Sequence, residues 1–308
     1  MRKPVLPIPP NTNLAGKTVA RQSLVFKASR VIITTRSPAK GRAAIAALLA
    51  DPEVNTNNPI ARVEFFDLDL DDYESGMRFV RRVKHDVPEL DLLLCNGGVT
   101  FFQYQTSKSG HERIMQVLGL LSLLRATAAT RGSPTRVTFV GSYSHHQHSL
   151  QGTPIATSES VLGHHDDPKA CRGRRRYQNS KLVINAFVQR LATVLLPSEV
   201  IVNNVCPGLV ATDILRNLPL WLKPGMYIFF KLKARTIQEG GRVIIRAAIV
   251  AGQESHGKFV QNGKMDRLMV SSGAPFLGEP AGKEYTEKLW AEIIADTIKV
   301  YPELEGFV

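Results

Sequence analysis

Short apolar runs rich in β-branched residues recur along this chain, and each is followed by a longer stretch with helical spacing. Residues 31–35 (VIITT), 62–66 (RVEFF), 92–95 (LLLC), 136–140 (RVTFV) and 200–206 (VIVNNVC) are such runs, with a shorter one at 258–260. Near-continuous apolar character marks strands buried on both faces of a sheet. Helical patterns are read at 38–50, 72–85, 110–129, 177–196, 236–251 and 283–299. The alternation predicts βαβ units and therefore an α/β fold, a doubly wound parallel sheet flanked by helices. In that class ligands bind beyond the carboxyl ends of the strands, so residues just after each run are the ones to inspect.

The rest of the composition narrows the setting. At 308 residues with 44% hydrophobic residues the chain can build a large core, and residues 14–308 show no repeat or linker that would divide them. Residues 1–13 hold a basic pair followed by four prolines and read as a disordered arm. Lysine and arginine number 39 against 27 acidic residues, a net charge of +12, which favours anionic partners such as a phosphorylated small molecule. Three cysteines, Cys95, Cys171 and Cys206, are too scattered for a disulfide scaffold and give no CxxC pair, so a reducing, cytoplasmic setting is expected. The segment 213–235 is apolar but broken by Lys223, Pro224, Gly225 and Lys231. Its apolar part, Leu218 to Leu232, is shorter than the roughly 20 residues a bilayer needs, and the segment reads as a lid over a pocket, with a flap lying on a membrane as the alternative.

Four elements stand at strand ends or helix starts. Asn96, Gly97 and Gly98 follow LLLC, where the backbone must turn beside a ligand. Ser142 lies just past RVTFV. Tyr177 and Lys181 open the next helical pattern at i and i+4, on one helix face. Pro207 and Gly208, with Thr212 four residues on, follow VIVNNVC. Each alone is an ordinary turn or a chance match, but their order along the chain is specific.

In these four segments, LLLCNGG, VGSYSHH, YQNSK and NNVCPGLVATD, the chain resembles the short-chain dehydrogenase/reductase family, most closely its retinol-dehydrogenase-like, fungal-type members, from about Leu14 to the last helix. The resemblance implies a Rossmann-like fold and an NADP(H)-dependent oxidoreductase. Tyr177 would be the general acid/base. Lys181 would lower its pKa and hold the nicotinamide ribose, and Ser142 would hydrogen-bond the substrate carbonyl. Such chemistry suits these residue types, because a phenol that titrates near 10 needs a fixed positive charge to act as a base at neutral pH. A ketone or secondary alcohol on a bulky apolar molecule, in fungal secondary metabolism, is the expected substrate.

The cofactor reading extends to both ends of the dinucleotide. Arg36 stands after VIITT where an acidic residue would bind the ribose hydroxyls of NAD, so it suits a 2'-phosphate, with a solvated surface arginine as the plain alternative. Asp67 and Leu68 after VEFF resemble the pair that contacts the adenine. Asn96, Gly97, Gly98, Tyr177, Lys181, Pro207, Gly208 and Thr212 complete the expected cofactor contacts.

Two features of the family are missing. The glycine-rich turn that receives the pyrophosphate between the first strand and first helix is absent. Residues 14–19 (LAGKTV) read as the opening of that strand and 20–24 (ARQSL) as the middle of the following helix, as though roughly a dozen residues between them had been lost. The relay asparagine is also absent from 116–119 (QVLG). The chain is therefore either an enzyme lacking one segment or a degenerate homologue acting as a binding or scaffold protein.

Other clusters receive plainer readings. His145, His146, His148, His164 and His165 lack the spacing of a metal site, and adjacent histidines in a strand would face opposite ways. Arg172, Arg174, Arg175 and Arg176 read as a solvated loop, and no motif for nucleic acid accompanies them. Leu289, Trp290, Ile293, Ile294 and Ile298 are spaced as one buried helix face, for core packing or a homo-oligomer contact.

Overall fold

The computed structural model describes residues 14–97, 119–152, 154–167, 174–211, 234–263 and 268–299, with Pro302. Gly98, Thr212, Cys171, Arg172, the arm 1–13, the segment 116–118 and most of the expected lid lie outside the described residues.

The strands fall where the apolar runs place them. They are β1 (Arg30–Thr35), β2 (Arg62–Asp67), β3 (Leu92–Cys95), β4 (Thr135–Val140), β5 (Val200–Cys206), β6 (Phe259–Asn262) and β7 (Leu268–Ser271). The helices are α1 (Leu14–Val25), α2 (Pro38–Leu49), α3 (Pro52–Asn57), α4 (Tyr73–Asp86), α5 (Leu121–Arg131), α6 (Val161–Asp166), α7 (Arg174–Thr193), α8 (Ile237–Ile245) and α9 (Pro280–Ile298). Several starts are set by side-chain caps. Ser37 accepts from the Lys40 N–H at α2, Asp72 from Glu74 at α4, and Thr236 and Glu239 form a reciprocal capping box at α8.

Strands β3, β4, β5 and β6 pair in parallel, and β7 closes that edge antiparallel. Strands β1 and β2 pair in parallel with each other but form a separate sheet. Among the described residues no ladder joins β1 to β3. Every residue of β5 is buried, whereas no residue of β1 or β3 is fully buried. The parallel, helix-flanked architecture is the expected one, with an interruption in the sheet at the place where the sequence lacks a strand.

Helix α1 corrects the reading of residues 14–19 as a strand opening. Those residues begin a helix that runs on through the expected helical segment 20–24. In this chain they run without a break into residues of helical spacing, and a helix satisfies their backbone groups internally without a partner strand. The helix links the two sheets. Val19 packs with Val205, Val243 and Val260 beside the five-stranded sheet, while Ala20 and Leu24 pack with Leu48, Val54 and Val63 beside the smaller one. Gln22 Nε2 donates to the Gln238 carbonyl at 3.0 Å. Asn58 Nδ2 donates to the carbonyls of Leu24 and Ala28 at the helix's carboxyl end, at 3.1 and 2.9 Å.

Two local expectations also change. His145 and His146 lie in a 3-10 turn, Tyr143–Gln147, with rings stacked at 4.3 Å, because the turn geometry places neighbours on one side where a strand would separate them. Arg174, Arg175 and Arg176 open helix α7, and Arg176 is buried, so that part of the basic run is not a solvated loop. The apolar face of α9 is core: Leu289, Trp290, Ile293 and Ile294 are buried and Ile298 packs against them.

Candidate active site

The polar residues gather at the carboxyl ends of β4 and β5 and the start of α7. Parallel pairing sets the level: Val140 lies opposite Val205, and the Gly141 N–H donates to the Val205 carbonyl at 2.8 Å, so the chain after β4 and the chain after β5 leave the sheet side by side. Gly141 must lack a side chain, since a Cβ there would stand 2.1 Å from Asn204 Oδ1. Asn203 and Asn204 are fully buried in the central strand. Asn203 is satisfied by Thr138, Ser255 and the Ala247 carbonyl, while Asn204 Nδ2 reaches Asn185 on α7 at 3.3 Å.

Ser142 caps the 3-10 turn, and Tyr177 and Lys181 descend from α7 onto it. The Ser142 hydroxyl lies close enough to the Tyr177 phenol to favour its ionised form. Lys181 Nζ lies 5.6 Å from the centre of the Tyr177 ring and donates to the Val140 carbonyl at 2.9 Å, which engages one of its three donors. Burial pulls the Lys181 pKa down from its ordinary value to about 8, opposed by the nearby sulfur of Cys206. Burial likewise moves the Tyr177 phenol up, against the nearby Ser142 hydroxyl, which favours the phenolate. Without a further positive group the tyrosine is thus held as the neutral acid.

Cys206 is a participant the sequence did not single out. Its Sγ accepts from the Tyr143 N–H at 3.3 Å and the Gly208 N–H at 3.4 Å, tying the serine turn to the turn after β5. A cysteine at a strand end gives no sequence signal for this, because both donors come from backbone brought together by tertiary pairing. Gly208 has φ +83°, and the Pro207 carbonyl accepts from Arg235 at 3.4 Å. Val210 and Arg235 also form a parallel bridge that anchors this loop.

Asn96 and Gly97 sit just past β3, beside the end of β4, because Cys95 pairs with Phe139. Arg36, Asp67 and Leu68 stand at the carboxyl ends of β1 and β2, in the other sheet, where the Leu68 N–H donates to the Thr35 carbonyl. Arg36 is exposed and shared between Asp71 at 3.5 Å and Asp69 at 3.8 Å. No three of the described histidines, cysteines and carboxylates are grouped so as to hold a metal ion. No described helix is long and apolar enough to cross a membrane.

No family model matches the chain. It is 48% identical over 288 aligned positions to the short chain dehydrogenase sor7 of Hypocrea jecorina, covering 86% of this chain and 80% of that protein. The chain belongs to the short-chain dehydrogenase/reductase family. The short chain dehydrogenase yanD of Aspergillus niger is 36% identical over 317 positions, covering 96% of this chain and 94% of the relative. Among solved structures the fold is similar to that of the Pseudomonas aeruginosa RhlG/NADP active-site complex, with TM-score 0.54 and 20% identity, covering 80% of this chain and 90% of that one.

The alignment lengths show a deficit. For sor7, 86% of 308 residues is about 265, so the 288 positions include about 23 at which this dehydrogenase/reductase has no residue. For yanD, 96% of 308 is about 296, and the shortfall against 317 positions is about 21. The two shortfalls agree in size and exceed the dozen or so residues that the sequence itself suggests are lost, and the sheet is interrupted between β1 and β3.

Proposed function

We propose that this dehydrogenase/reductase interconverts a ketone and a secondary alcohol on a bulky apolar substrate, with NADP(H) as cofactor, in fungal secondary metabolism. The carrying observation is the convergence of Ser142, Tyr177 and Lys181 at one sheet end: Ser142 caps the turn after β4, and Lys181 Nζ lies 5.6 Å from the Tyr177 ring while bonded to the Val140 carbonyl. In this reading Ser142 donates to the carbonyl oxygen, Tyr177 delivers or takes the proton at that oxygen, and Lys181 supplies the positive charge that stabilises the phenolate. Two Lys181 donors beyond the Val140 bond suit a ribose diol. The cofactor, when bound, supplies or accepts the hydride. Exposed Tyr143 and Leu209, next in sequence to Ser142 and Gly208, support an apolar substrate.

The residues present fit the two ends of a dinucleotide and not its middle. Arg36, with Asp67 and Leu68, suits the adenosine 2'-phosphate end, and Asn96, Gly97, Pro207 and Gly208 suit the nicotinamide end. The NADP of the RhlG active-site complex supports a nicotinamide cofactor, and Arg36 is the reason to prefer NADP(H). Between the two ends the chain has no glycine turn, and residues 14–25 form one unbroken helix. That same observation favours the second reading, a homologue that persists as a binding or scaffold protein. Incubation with NADPH and a panel of aryl and alkyl ketones separates them. NADPH oxidation lost in Tyr177→Phe supports the enzyme, whereas no turnover at millimolar cofactor supports the scaffold.

A further inference from the structure

The hydroxyl of Ser142 is held by its own turn. Ser144 Oγ donates to Ser142 Oγ at 2.9 Å, and the Ser144 N–H donates to the same oxygen at 3.3 Å. A serine oxygen has two lone pairs and one proton. With both lone pairs engaged from one side, the remaining proton points away from the turn and is available to the nearby phenol of Tyr177.

The turn that carries Ser144 is itself pinned. The Ser142 carbonyl accepts from the His145 N–H at 3.2 Å and from His145 Nδ1 at 2.7 Å, while the Tyr143 N–H is taken by Cys206. A carbonyl only accepts, so the His145 proton is on Nδ1 and the buried Nε2, which has no hydrogen-bond partner, presents its lone pair. The His145 ring is fully buried between His146 and Phe259.

We propose that Ser144 is a positioning residue, whose hydroxyl and amide together aim the Ser142 proton at the Tyr177 oxygen and at the carbonyl oxygen of a substrate. This rests on the reading of Ser142 and Tyr177 given above. Donation from Ser144 also polarises the Ser142 hydroxyl, since hydrogen bonds in series strengthen one another. The consequence reaches Tyr177 through Ser142, because a better donor at the phenol oxygen favours the phenolate.

The test follows the titration of Tyr177 directly, without turnover. Protein labelled with 13C at tyrosine Cζ is titrated by NMR, and the Tyr177 resonance is assigned by its loss in Tyr177→Phe. Ser144→Ala is expected to raise the midpoint by about half a unit or more, and Ser144→Thr, which keeps a hydroxyl, to return most of that shift. Coincident curves for the parent and Ser144→Ala, including no titration in either, overturn the proposal, as does a downward shift. Ketone reduction by the same samples separates the two levels. Turnover with an unmoved Tyr177 defeats the positioning role alone, and a moved Tyr177 with no turnover defeats the catalytic reading alone.

Discussion

The five-stranded and two-stranded sheets are built from similar sequence, yet they are anchored very differently. Strand β5 is buried at every residue and is flanked on both sides by paired strands, and the polar cluster hangs from its end through Gly141, Asn204 and Cys206. Strand β1 has one paired neighbour and no buried residue. Its connection to the rest of the molecule runs through α1, which packs against both sheets. The groups proposed to handle the proton therefore sit on the continuous sheet, and Arg36, proposed for the phosphate, sits on the detached one. A missing segment can thus remove cofactor affinity while leaving the serine, tyrosine and lysine assembled.

The comparison is sharpest in stability. Leu191, buried in the α7 face that covers the large sheet, should cost about 3 kcal/mol when changed to alanine, whereas Ile33→Ala in half-buried β1 should cost about 1 kcal/mol. Urea unfolding of the two variants checks this, and equal losses would mean that the sheets are equally anchored.

Lys181 gives a pH signature of the same half. Its folded pKa of about 8 lies below the unfolded value of 10.5, so between those limits the unfolded chain binds more protons and stability rises with pH. The gain should total up to about 3 kcal/mol, with the full burial penalty present below pH 8. Urea midpoints for the parent and Lys181→Met at pH 7.5 and 10 measure it, and parallel changes in both would show that the lysine is not held in this way.

Smaller effects are expected at the loops. Gly208→Ala, at φ +83°, should destabilise by about 1 kcal/mol, read as a lowered melting temperature. Arg36→Asp, at an exposed side chain, should leave stability nearly unchanged while weakening NADPH several-fold and NADH little. Equal weakening of both cofactors would return Arg36 to the solvated surface.

Much of the fold could be read in advance because buried strands announce themselves. Residues 92–95 and 200–206 match β3 and β5 end to end, as their apolar runs are stopped by Asn96 and Pro207. Strand β7 was not legible: three of its four residues are exposed, so it has no apolar run to detect. The strand reading of 14–19 failed for a different reason. LAGKTV has the local look of a strand opening, but a strand exists only with its neighbours, and the residues that would complete it are absent from this chain. In the site, the spacing of Tyr177 and Lys181 and the position of Ser142 pointed to a cluster that the structure brings together. The parts played by Cys206, Ser144 and His145 depend on backbone donors and turn geometry that no spacing encodes.

The central claim is that the polar cluster is assembled while the pyrophosphate position is lost with one segment. Calorimetric titration of NADPH into the parent chain, and into a chain carrying a relative's strand-and-glycine segment inserted between Val19 and Ala20, tests this most directly. The account predicts weak binding by the parent and tightening on the order of a hundred-fold on insertion, about 2.7 kcal/mol, as backbone N–H groups at a helix start regain an anion to bind. Micromolar NADPH binding by the parent, unchanged by the insert, would contradict it.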